Sequence, residues 1–220
     1  PRYKGELLLT QHSAGSISSE AFMKRMNRKN ELLADNAEKA SVMAMWTGGT
    51  PYPSKMIYDA WDLVLGSQMH DILPGTSLPK AYEFSWNDEL LAANQFASVL
   101  TDAVGAVTQA MDTRGDGSAI AVYNPLSIER EDVVAFKIPF TGAAPKTMSM
   151  VDPSGNSIPC QILSTEGNEV NGCFAAKVAP LSFTIYHVSS KAIPSKSLNV
   201  SQNSIESDHF KVTVDANGDV

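Results

Sequence analysis

The hydrophobic period changes once along this chain, at Gly115-Asp116-Gly117, and that change limits the fold more than any other feature. Before it, apolar residues recur at threes and fours over long stretches rich in Ala, Leu, Met, Lys and Glu; after it, they come in short β-branched runs separated by turn residues. A helical period does not sit still as a strand. The pattern therefore predicts an α+β chain in two units: a three-helix bundle over residues 1–114, then an antiparallel β-sandwich that begins at 115 and is truncated at 220.

The first helix is predicted to run to Trp46, with Ser18-Ser19-Glu20 offering hydroxyl caps and a first-turn carboxylate, and with Phe22, Met26, Leu33, Ala37, Ala40 and Ala44 on its apolar face. Gly48-Gly49 stops it. Pro51-Tyr52-Pro53 forces an extended stretch, Ser54 offers a cap, and a second helix extends to about Gln68. Its apolar residues Ile57, Trp61, Val64 and Leu65, with Met56 and Leu63 on another side, predict burial on two faces. A third helix opens near Leu78-Pro79 and ends near Met111, carrying Leu90, Leu91, Asn94, Val99, Leu100, Val104 and Val107 at largely helical spacing. Gly105 within it costs about 1 kcal/mol relative to Ala, which a close helix contact would offset.

Strands are predicted at 119–123, 133–136, 148–151, 158–163, 174–178, 183–188 and 210–214. Asp152-Pro153-Ser154-Gly155-Asn156 is a hairpin signal, because Pro presets one turn dihedral and Gly supplies a positive φ. Asp215-Ala216-Asn217-Gly218-Asp219 promises another. Glu129-Arg130-Glu131-Asp132 reads as a solvated turn. Cys160 and Cys173 are compatible with a bridge between neighbouring strands or with two small buried thiols.

A net charge of −7, with 17 basic residues scattered singly or in pairs, argues against nucleic acid as a partner. No run of about 18 apolar residues suggests a membrane span. The start at Pro1, without Met or a signal-like apolar core, suggests an excised piece, so compartment and oligomeric state are left open.

One short element carries chemistry. In Gln68-Met69-His70-Asp71-Ile72-Leu73-Pro74-Gly75-Thr76 an imidazole and a carboxylate adjoin at a helix end, where Pro and Gly brake the chain. Neutral imidazole suits zinc, and a carboxylate accepts hydrogen bonds from hydroxyls. The helical spacing alone also allows a core histidine, since His70 extends the Met56 and Leu63 row inward, or a plain helix terminus.

The order of features decides between these readings. Gly5-Glu6-Leu7, Lys24-Arg25-Met26-Asn27-Arg28, Tyr52-Pro53, Ala60-Trp61, the His70-Asp71-Ile72-Leu73-Pro74-Gly75-Thr76 element, Tyr123-Asn124-Pro125-Leu126, Ala179-Pro180-Leu181-Ser182-Phe183 and Phe210-Lys211-Val212 follow one another along nearly the whole chain. In this series the chain resembles glycoside hydrolase family 38, the α-mannosidases. The resemblance implies the family's middle domain and first β domain, with the α/β catalytic domain upstream and further β domains downstream. It implies that His70 is one ligand of a Zn2+ ion and that Asp71 binds hydroxyls of the terminal mannose. It implies retaining hydrolysis of terminal α-mannosidic bonds by the full-length protein. No residue here matches the family's nucleophile or its upstream His-x-Asp ligands, so no catalytic residue is assigned and this piece alone is expected to be silent.

The rival reading is a non-catalytic carbohydrate-binding or assembly module, in which His70-Asp71 is only a helix end. His12 is a lesser candidate for the site, His187 and His209 are expected to be structural or exposed, and Trp61 is expected in the core. Trp86 is left open between core and sugar stacking. Asn199-Val200-Ser201 is a sequon of little weight.

Overall fold

The computed structural model describes residues 2, 15–191, 193, 198–208 and 210–219. Two units partition the chain, Pro1–Asp112 and Thr113–Val220. Among the described residues, the first holds three helices, α1 (Ala21–Thr47), α2 (Ser54–Ser67) and α3 (Pro79–Ala110), and the second holds strands, so the chain is α+β.

Helix starts differ from their predicted chemistry. Glu20 sits at the N-cap of α1 in the left-handed region, before the helix, and no side chain caps the helix. The Ser19 hydroxyl instead donates to the carbonyl of Gly75 at 3.2 Å. Ser54 is the first residue of α2 and caps nothing. Pro79 opens α3, where its missing N–H is no loss.

The α3 helix packs against both α1 and α2. Alanines fill much of the seam: Ala34, Ala37, Ala60 and Ala92 lie with Ile57, Val64, Phe96 and Val99 in one core cluster, and small side chains let the helix axes approach. By length and composition α3 is, among the described residues, the helix apolar enough to cross a membrane; in this fold it packs against α1 and α2.

Some predicted stripes are displaced. Met26, Ala37, Ala40 and Ala44 are buried as expected, but Met23, Asn30, Ala34 and Ser41 complete that face. Burial of α2 is one-sided, along Ile57, Ala60, Val64 and Ser67, and Leu65 is 57% exposed. On α3, Leu90 and Leu91 are each 49% exposed while Glu89 is fully buried. A carboxylate holds the core position that the apolar count gave to its neighbours. Gly105 meets nothing within 4 Å of a notional Cβ; the close approach falls at Gly48, whose Cβ would lie 3.1 Å from the Ala106 carbonyl.

The second unit opens with β1 (Ala119–Asn124), β2 (Arg130–Pro139), β3 (Ser149–Val151), β4 (Ser157–Glu166), β5 (Glu169–Val178) and β6 (Ser182–Ser189), joined in one antiparallel sheet of order β1-β6-β3-β4-β5-β2. The expected pair of stacked sheets is thus one continuous ladder that curls on itself. A register shift between Ile162 and Ser164 bends β4, which pairs with β3 at its start and β5 along the rest. Met148, Met150, Val170, Phe174, Ala176, Val178, Tyr186 and Val188 fill the concave side. The hydroxyl of Tyr186 donates to the Lys177 carbonyl at 2.7 Å and accepts its N–H at 2.9 Å, tying β6 to β5.

Asp152 closes the β3–β4 turn by accepting N–H groups of Ser154 and Asn156. A second antiparallel sheet, β7 (Asn199–Val200), β8 (Ser204–Glu206) and β9 (Lys211–Thr213), precedes a turn in which Asp215 accepts the N–H groups of Asn217 and Asp219. The predicted solvated turn at 129–132 is instead the start of β2, with Glu129 3.0 Å from Lys177 and Arg130 paired with Asp132. Cys160 and Cys173 are free thiols.

Candidate functional site

The α2 helix ends at Ser67, and the chain then coils through consecutive turns from Gln68 to Gly75 before α3 begins. Local bonds fix that coil: Ile72 and Leu73 N–H reach the Met69 carbonyl at 2.9 and 3.1 Å, and Gly75 N–H reaches Ile72 at 3.1 Å. Gly75 adopts φ +87°, which a side chain would resist, and a Cβ there would come within 2.6 Å of Ser19 Oγ. Glycine at this point lets the turn lie directly against the start of α1.

Ile72 is the anchor. It is buried with Met23 and Tyr82, and Phe22 and Ala81 pack around them. With Ile72 facing inward, the two residues before it stand outward. The His70 side chain is 87% exposed and that of Asp71 47%, with His70 Nε2 3.4 Å from Asp71 Oδ2. A core histidine is therefore excluded, because the helix stops three residues before His70 and the inward row ends with it.

Asp71 is held by its neighbours. Its Oδ1 accepts the Thr76 hydroxyl at 3.0 Å, and its carbonyl accepts Thr76 N–H and the Tyr82 hydroxyl, each at 3.1 Å. The Tyr82 oxygen in turn accepts the N–H of Ser77 at 2.9 Å. Thr76 was visible in the sequence as part of the motif, whereas nothing marked Tyr82 as its partner.

The donor set tests the zinc expectation. Zinc takes imidazole nitrogen and carboxylate oxygen in a shell of four. Among the described residues no group of three or more His, Cys, Asp or Glu side chains converges. One exposed imidazole beside one oriented carboxylate fits a ligand lent to a shared centre, and cannot close a shell alone.

The other candidates fall elsewhere. His12 and His209 lie outside the described residues. His187 Nε2 is 3.2 Å from the Thr113 carbonyl, a structural contact. Trp61 is partly buried edge-to-face on Phe96, with its indole N–H donated to Glu38 at 2.8 Å. Trp86 is 40% exposed and meets Phe22 edge-to-face at 5.7 Å.

Residues 12–107 match the family model described as the alpha mannosidase middle domain. An alpha-mannosidase of Saccharomyces cerevisiae is 33% identical over 86 residues, which are 38% of this chain and 8% of that protein. The crystal structure of an alpha-mannosidase from Enterococcus faecalis V583 superposes over 93% of this chain and 28% of its own, with TM-score 0.71 and 20% identity. A glycosyl hydrolase family 38 protein from Enterococcus faecalis covers 94% of this chain and 29% of its own, with TM-score 0.74 and 19% identity. The chain thus spans less than a third of the length of these relatives.

Three helices followed by an antiparallel β unit make a fold similar to a part of each of these two solved structures. Residues 12–107 are thus similar to the alpha mannosidase middle domain, and the fold as a whole is similar to part of a glycosyl hydrolase family 38 protein.

Proposed function

We propose that this chain is the internal part of a retaining, zinc-dependent α-mannosidase that hydrolyses terminal α-mannosidic bonds, with the catalytic domain upstream. Residues 1–114 serve as the three-helix middle domain, and 115–220 as the start of the C-terminal β region. The observation that carries the reading is the exposure of His70 beside an Asp71 carboxylate already oriented by Thr76.

His70 supplies a neutral imidazole nitrogen to the shared site. Asp71 accepts hydrogen bonds from sugar hydroxyls and so orients the terminal mannose. Zinc, when bound, supplies a fixed positive charge that holds and polarises ring hydroxyls. The nucleophile and general acid of a retaining hydrolase are carboxyl groups, and both belong to upstream polypeptide. Because the turn is fastened before substrate arrives, little ordering remains to oppose binding.

In the full-length protein His70→Ala should remove zinc and turnover together, read by metal analysis and by hydrolysis of an aryl α-mannoside. Normal zinc content with normal turnover would defeat the assignment. Calorimetry of the isolated chain with mannosides should show no binding; zinc-independent binding would favour a carbohydrate-binding module.

A further inference from the structure

The segment that bears His70 and Asp71 is gripped from both sides by one face of α1. Lys24 and Asn27, three apart and so on the same side of the helix, reach opposite flanks of it. Asn27 Oδ1 accepts the side-chain N–H of Gln68 at 2.8 Å, at the start of the turn. Lys24 Nζ donates to the carbonyl of Leu73 at 2.8 Å, just after the His-Asp pair, and also to the carbonyl of Ser19. Ser19 Oγ closes the set by donating to Gly75.

Lys24 has an uncommon task for a lysine. Its ammonium is half-buried and spends its hydrogen bonds on two main-chain carbonyls, one at the start of α1 and one in the turn. A charged donor forms stronger bonds than a neutral one. A carbonyl in an irregular coil has no ladder partner, so a donor from outside decides where it settles. The lysine is therefore a tie between the two segments.

We propose that Lys24, assisted by Asn27 and Ser19, is a positioning residue that sets where His70 and Asp71 stand relative to α1. Its effect on catalysis rests on the role proposed above for His70 and Asp71; its effect on the turn does not.

The test uses the full-length protein with Lys24→Met, which keeps the aliphatic stem, Lys24→Arg, which keeps a charged donor, and Ser19→Ala as a milder break. Amide exchange is followed by mass spectrometry in peptides covering 69–76, alongside KM and kcat for an aryl α-mannoside. Lys24→Met should speed exchange in 69–76 about tenfold, leaving the remainder of the helical unit as before. KM should rise about fivefold or more with a smaller change in kcat. Lys24→Arg should restore most of both, and Ser19→Ala should shift both in the same direction by less. Unchanged exchange in 69–76, or faster exchange spread evenly over α1, α2 and α3, overturns the proposal. Localised exchange with unchanged KM overturns the positioning role, provided His70→Ala is inactive. An active, zinc-replete His70→Ala defeats the metal assignment instead, and the exchange result then judges the clasp alone.

Discussion

Asn30 on α1 donates its side-chain N–H groups to both the carboxylate and the carbonyl of Glu89 on α3, and neither residue has any exposed surface. Asn30 Oδ1, Ser67 Oγ and Glu89 Oε1 are buried there without a hydrogen-bond partner, so this junction of three helices is incompletely satisfied. Burial is the main influence on the Glu89 carboxyl and raises its pKa against the opposing hydrogen bond from Asn30. A raised acid pKa means that the folded state keeps its proton longer than the unfolded one. Stability contributed by Glu89 therefore falls as pH rises from the ordinary carboxylate range through the raised value. Glu89→Gln supplies N–H donors and carries no charge. It should raise stability at pH 7 by about 1 kcal/mol and flatten the pH dependence, in urea titrations at pH 4 and pH 7. An unchanged midpoint at pH 7 would show the carboxylate to be adequately solvated.

Thr76 Oγ1 fixes one oxygen of Asp71. Thr76→Val preserves shape and removes that donor. In the full-length protein it should raise KM for an aryl α-mannoside about threefold to tenfold at unchanged zinc content, in steady-state kinetics and metal analysis. Loss of zinc in this variant would assign Thr76 to the metal ligand rather than to the sugar contact.

Asn124, within the Tyr-Asn-Pro-Leu element, is a stitch in the β unit. Its side-chain nitrogen faces the carbonyls of Ile128, Val178 and Ala179 at 2.8, 3.2 and 2.9 Å, and its oxygen accepts the N–H of Leu126 at 3.1 Å. Asn124→Ala leaves these groups without their partner and should cost about 1–3 kcal/mol, seen as a lower urea midpoint with an unchanged slope.

Cys160 lies opposite Phe174, and Cys173 opposite Gln161, on adjacent strands. Burial, with a smaller contribution from Cys173, pushes the Cys160 thiol up to about 11. Since the thiolate is the reactive form, Cys160 should be alkylated at least about tenfold more slowly at pH 8 than a solvent-exposed thiol, by mass spectrometry of iodoacetamide time courses. Rapid labelling would mean that β4 and β5 open readily.

Element type was legible where periodicity was long or turn chemistry strong. The ends of α3 at Pro79 and near Met111, and the Asp152 hairpin, follow from local signals. The faces were less legible, because tertiary packing assigned them. Glu89 took a core position through Asn30, leaving Leu90 and Leu91 half exposed, and no apolar count foresees a polar residue satisfied from another helix. The cap at Ser19 was misjudged for the same reason: its hydroxyl had a remote partner in Gly75. At the candidate site the motif located the two outward residues and Thr76. Lys24 and Tyr82 depend on a fold that brings residues 49 and 11 positions apart in the chain into contact, which spacing alone does not encode.

The irregularity in β4 carries a lesson for anyone redesigning this chain. Ser157, Ile158 and Pro159 answer to β3, while the residues of β4 from Cys160 onward answer to β5 across the shift. Leu163 is the residue passed over, so deleting it would leave Thr165 and Glu166 opposite Val170 and Glu169, whereas a deletion elsewhere in β4 would slip the register and turn side chains to the opposite face. Length changes are better made at 141–147, where no strand has to keep count with a neighbour.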